Sequence, residues 1–269
     1  MDLQYKQEVQ KFGKKDGIIA LCAFLACVII TMAFVALRRM FPLSLSMNAL
    51  FSILVYSLQA GIVFAIVIRN KQGLTSIGVH KEKIWPAIRL GLLVSLIPIL
   101  FSAILPRILG VTYELLIGTL LLMLVVLIFS AVYEDVIFVG FIQTRLYGFF
   151  KTDRVAIVVG ALIFSLWHVP PFIIMNAGYL TPHILFAELT SGFLYWFSMH
   201  FVLVSVFKKH YSLVPVSILH TITNFSSQLS ERYNIYGINF QFVTTALLLI
   251  VACILFWHTH KQAKKVTTE

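Results

Sequence analysis

Two adjacent acids, Glu134 and Asp135, interrupt the otherwise apolar run of residues 133–141. A charged side chain near the centre of a bilayer costs from about 2.5 kcal/mol upward, so such residues face a protein-lined cavity and mark function. The other polar side chains inside apolar stretches that could do chemistry are His168, Glu188, His200, His220 and Asn224. Phe164 and His168 are four residues apart, as are His220 and Asn224, and in a helix that spacing puts both side chains on one face. A carboxylate, two imidazoles and an amide meeting in a dry cavity suit hydrolysis of an amide. Glu134 would take a proton from the attacking water, with His168 sharing or relaying it. His220 and Asn224 would donate to the developing oxyanion, where preorganised donors count most. Asp135 and, from the outer side, Glu188 are supporting candidates.

Blander roles compete for the same residues. A lone histidine in a membrane helix is commonly an interhelical hydrogen-bond donor, and His183 and His200 are read that way. A Glu and two His could hold zinc, but the compact H-E-x-x-H helix pattern is absent, so no metal or other cofactor is expected. Intramembrane acids and histidines also serve proton pathways in transporters.

The elements that must position these groups are membrane helices. The chain has 269 residues, 59% hydrophobic and only 12% charged, with mean hydropathy +0.92. A soluble domain carries nearer a quarter charged residues. The expected fold class is all-α, a polytopic helical bundle of about eight spans: 17–37, 46–68, 84–106, 114–138 (continuing towards 149), 154–170, 183–207, 212–228 and 239–258. Residues 1–16 and 259–269 are expected as cytosolic tails around one domain, 17–258. The Pro170-Pro171 pair is expected to end the fifth helix.

The formal charge of +10 does not point to nucleic acid, because the bases sit at the ends of apolar segments, where they set topology and meet lipid headgroups. With the N-terminus inside, inner segments hold Lys6, Lys11, Lys14, Lys15, Arg69, Lys71, Lys81, Lys83, Arg145, Lys151, Arg154, Lys208, Lys209, Lys261, Lys264 and Lys265; outer ones hold Arg38, Arg39, Arg107 and Arg232. That bias predicts both termini in the cytosol. Cys22, Cys27 and Cys253 have no ligand or redox spacing and read as small core residues. At about 1.5 Å per residue, Glu134 lies ~22 Å from an inner end near Phe149, His168 ~20 Å from Val155, and His220 and Asn224 ~12–18 Å from Ser212. Groups on three helices therefore share one layer, with Glu188 reaching it from outside and His200 nearer the inner end.

The order acid-acid-x-x-x-x-Gly (Glu134, Asp135, Gly140), F-x-x-x-H (Phe164, His168) and H-x-x-x-N (His220, Asn224) resembles the CAAX protease and bacteriocin-processing family of intramembrane glutamic endopeptidases, over about residues 130–225. The resemblance implies that Glu134 and His168 activate water and that His220 and Asn224 form the oxyanion hole. Two positions depart from the family pattern: Asp135 stands where Glu is usual, and Val139 where an Arg precedes the glycine. In an α-helix Asp135 and Val139 share a face, so the usual acid and base could pair; here the base is missing.

The expected activity is cleavage of peptide or membrane-protein substrates at a bacterial cytoplasmic membrane, in peptide maturation, signalling or bacteriocin immunity. The alternatives are a non-catalytic family member that binds a partner such as a sensor kinase or confers immunity, and a proton-coupled transporter. Partners are lipids and a peptide or membrane-protein substrate, with no nucleic acid.

Overall fold

The computed structural model describes residues 3–41, 43–110, 117–176, 178, 180–230 and 243–255, and every regular element among them is helical. The chain is a polytopic helical bundle. A short helix α1 (Leu3–Val9) precedes α2 (Lys14–Met40) and α3 (Leu45–Arg69); a 3-10 turn follows at Leu74–Ile77. Next come α4 (Ile84–Pro98), a π-helical stretch Ile99–Ile104 and α5 (Leu105–Ile108), which run on as one rod. α6 (Ile117–Glu134), a second π-helical stretch Asp135–Gln143 and α7 (Thr144–Phe150) form another. Then follow α8 (Asp153–Asn176), α9 (Pro182–His210), α10 (Leu213–Ser230) and the apolar helix α11 (Val243–Leu255).

Among the described residues, helices occupy all eight positions read as spans, and six are long and apolar enough to cross a membrane. α10 falls outside that six: it carries His220, Thr221, Thr223, Asn224, Ser226, Ser227 and Gln228, polar groups that a helix surrounded by protein tolerates and a lipid-facing one does not. It packs against α4, α6 and α9. The tail 259–269 lies outside the described residues.

Pro170 and Pro171 do not end the fifth span, as expected from their missing donors; α8 runs through them to Asn176. Membrane helices tolerate proline where neighbouring helices support the freed backbone, and α9 packs along α8, with Trp196 against Phe172 at 6.2 Å between ring centres.

One end of the bundle is tied together by its polar groups. Arg145 and Lys208 were expected to mark topology and meet headgroups, yet both are buried. Arg145 donates to the Ser76 carbonyl (3.0 Å), Ser76 Oγ (3.1 Å) and Gln72 Oε1 (2.5 Å), and Gln72 in turn donates to Asp16. Its guanidinium stacks on Phe12 and Phe141, at 4.2 and 4.4 Å. Lys208 pairs with Asp153, which also accepts from the Tyr5 hydroxyl at 3.1 Å. Burial, with Asp153 nearby, pushes the Tyr5 hydroxyl well above the ordinary tyrosine range. α1 and the connections 70–83, 151–152 and 211–212 thus form a fastened layer, in which Gly140 lets the 3-10 turn approach: a Cβ there would lie 2.6 Å from the Ile77 carbonyl oxygen.

Candidate functional site

Glu134 is the last residue of α6 and Asp135 the first of the π-helical stretch. π segments are rare and frequently sit at functional sites. The partner of Asp135 is not on its own helix, where Val139 four residues on offers no donor. His220, buried on α10, places Nδ1 2.9 Å from Asp135 Oδ1 and Nε2 3.8 Å from Glu134 Oε2. A carboxylate can only accept from an imidazole N–H, so an ionised Asp135 fixes the His220 proton on Nδ1 and turns Nε2 towards Glu134. The Ser217 hydroxyl reaches the same Asp135 carboxylate, while Oδ2 has no partner with hydrogen-bond geometry.

His168 is fixed in a different way. Its Nδ1 lies 2.8 Å from the Phe164 carbonyl oxygen, so that nitrogen is the donor and neutral Nε2 keeps a free lone pair. The ring stacks on Trp196, 4.7 Å apart with 16° between planes, and meets Phe164 and Trp167 edge-on. The F-x-x-x-H spacing thus has a physical meaning: the phenylalanine supplies both the carbonyl and a packing wall.

Glu134 and His168 line one cavity of about 380 Å³. Its apolar walls come from α2 (Phe34, Val35), α3 (Val55), α8 (Trp167, Phe172) and α9 (Trp196), and Arg38, Tyr56 and Asn176 add polar atoms. The Tyr56 hydroxyl hydrogen-bonds the Glu134 carboxylate, holding it from a third helix. Tyr56 also escapes sequence reasoning, since a tyrosine among aliphatic residues has no spacing to mark it.

The remaining candidates divide. Asn224 lies one turn beyond His220 on α10, half-buried, outside the cavity wall. Glu188, expected as an outer partner, is exposed on α9 and does not line the cavity. His200, read as an interhelical donor, sits with Nε2 3.1 Å from Gln143 Oε1 and packs on Phe164 at 5.3 Å. Gln143, a polar residue nine positions past Glu134 in the apolar run, was a signal that went unused. His183 is exposed. Among the described residues no group of three His, Cys, Asp or Glu is placed to share a metal ion.

Residues 116–226 match the family model described as Type II CAAX prenyl endopeptidase Rce1-like. Over these residues, under half of its length, the chain is similar to that family. The resemblance carried by Glu134-Asp135, Phe164/His168 and His220/Asn224 falls inside the matched segment. No match was found among curated proteins or among solved structures. The Rce1-like match supports a CAAX-type intramembrane protease at the level of the family, and with the apolar helices it marks an integral membrane protein.

Proposed function

We propose that the chain is an intramembrane endopeptidase that hydrolyses peptide bonds of peptide or membrane-protein substrates in the Glu134/His168 cavity, without a metal ion. The observation that carries this reading is that Glu134 and His168, from helices apart in sequence, line one cavity, each held by its own fixed contact.

In this reading a water sits between the Glu134 carboxylate and the free Nε2 of His168. Glu134 takes one proton while His168 accepts the other hydrogen bond and orients the attacking lone pair. The water oxygen bonds to the substrate carbonyl carbon, and the carbonyl oxygen gains the charge. An imidazolium at His220, stabilised by Asp135 and with Nε2 3.8 Å from Glu134, donates from Nε2 to that oxygen; Asn224, which the family resemblance makes the second donor, lies outside the cavity wall and would have to turn towards it on substrate binding. Glu134 then returns its proton to the nitrogen as the C–N bond breaks, leaving an amine and a carboxylic acid. The aromatic and aliphatic walls exclude bulk water and so strengthen each of these interactions.

Peptide maturation, signalling or bacteriocin immunity at a bacterial cytoplasmic membrane fits this activity, and a sensor kinase is a partner class for it. Cleavage of a membrane-presented peptide by purified chain in proteoliposomes tests the reading. Proton-coupled uptake without cleavage in the same vesicles would replace it with transport. A cellular phenotype that survives Glu134→Ala combined with His220→Ala would replace it with a binding role.

A further inference from the structure

The cavity and the fastened basic layer lie at opposite ends of the bundle. In the basic layer Lys151 Nζ donates to the Phe12 carbonyl (3.0 Å), the His80 ring meets the Tyr211 carbonyl (2.7 Å), and the Leu213 amide donates to the Gly78 carbonyl (3.1 Å). The N-terminal helix and three cytosol-type connections are therefore on one side. The far end is marked by Arg39, which donates to the Ile174 carbonyl at 2.5 Å and ties the end of α2 to the end of α8. Arg38, Met175 and Asn176, the last turns of those helices, line the cavity, so its mouth is at this far end. The excess of Lys and Arg at the opposite end assigns that opposite end to the cytosol.

Arg38 is exposed and, among the described residues, makes no hydrogen bond or ion pair. It is near enough to act electrostatically on Tyr56, which holds Glu134. A cation at the mouth of an apolar cavity focuses field on whatever enters, and of the two arginines at this end it is Arg38 that lines the cavity while Arg39 is tied to the Ile174 carbonyl. We propose that the cavity is loaded from the non-cytoplasmic face, and that Arg38 receives an anionic group of the incoming peptide. This builds on the peptidase reading by naming the side and the charge of its substrate; its test reads access alone and needs no turnover.

The full chain, with Cys22, Cys27 and Cys253 replaced by Ser or Ala, is expressed in bacterial cells and given Asn176→Cys, Met175→Cys or, as a control on the basic layer, Lys81→Cys. Intact cells are treated with two membrane-impermeant methanethiosulfonates, one bearing a sulfonate and one a trimethylammonium. Both cavity cysteines should label in intact cells and Lys81→Cys only after lysis. The sulfonate reagent should react severalfold faster than the cationic one at the cavity cysteines, and Arg38→Gln should erase that preference. Labelling of Lys81→Cys in intact cells, or cavity labelling only after lysis or not at all, overturns the assignment of the side. An anionic preference that is absent, or that persists in Arg38→Gln, overturns the role of Arg38. If Asn176→Cys does not accumulate, Met175→Cys carries the same readout. Loss of peptidase activity elsewhere would leave these labelling results unchanged, so the two readings fail separately.

Discussion

His220 Nδ1 lies 2.9 Å from Asp135 Oδ1, which gives the second of the two adjacent acids a partner on another helix. The carboxylate orients the ring and leaves Nε2 beside Glu134 at 3.8 Å. In the proposed mechanism Asp135 positions His220, and Asp135→Asn should lower kcat by about 10²-fold or more, within the ~10²–10⁴ range of acid–base contributions. KM and thermal unfolding should stay close to wild type. A proportional loss of folded protein, with kcat per folded molecule unchanged, would reduce Asp135 to a structural role.

The same logic applies to His168, whose ring is held by the Phe164 carbonyl and by the stack on Trp196. Trp196→Leu removes the stacking surface and lets the ring tilt. Since misplacement of about 1 Å can cost ~10²-fold, turnover is expected to fall by about 10- to 100-fold. Steady-state kinetics on the purified variant checks this, and the loss should appear in kcat.

Gly140 and Gly61 make a contrasting pair. A Cβ at Gly140 would meet the Ile77 carbonyl oxygen at 2.6 Å, whereas one at Gly61 meets nothing within 4 Å. Gly140→Ala should destabilise by about 1–3 kcal/mol through overpacking, and Gly61→Ala should be neutral or stabilising by up to ~1 kcal/mol through helix propensity. Thermal unfolding in detergent distinguishes the two.

Arg145 fastens the 70–83 connection by its bonds to Gln72 and Ser76. Arg145→Met would leave those acceptors buried without a donor, at about 2–4 kcal/mol in total. The expected result is a lower unfolding midpoint and faster proteolytic cutting within 70–83.

The helical bundle and the places of its helices were legible because long apolar runs punctuated by basic residues have few other uses. Glu134, His168 and His220 stand out in the sequence as polar side chains at membrane depth, and the structure brings Glu134 and His168 to one cavity and His220 beside both acids. Asp135 could not be given a partner from sequence: Val139 supplies no base four residues on, and the group that meets it, His220, comes from α10, a meeting that only tertiary packing sets. Pro170-Pro171 misled because a local rule about missing donors ignores support from α9. Arg145 and Lys208 misled because a basic residue near a span end is ordinarily at the surface, and only the tertiary packing of α1 and the connections buries them. Tyr56 and Trp196 carried no spacing signal, and their roles depend wholly on which helices meet.

The central claim is that Glu134 activates the hydrolytic water. Its most direct test is turnover of a membrane-presented, quenched fluorescent peptide by wild type and Glu134→Gln reconstituted side by side, with folding checked by thermal unfolding. The variant should keep its unfolding midpoint and lose at least about 10³-fold in kcat, as expected for removal of a general base. Undiminished turnover by a folded Glu134→Gln protein would contradict the account.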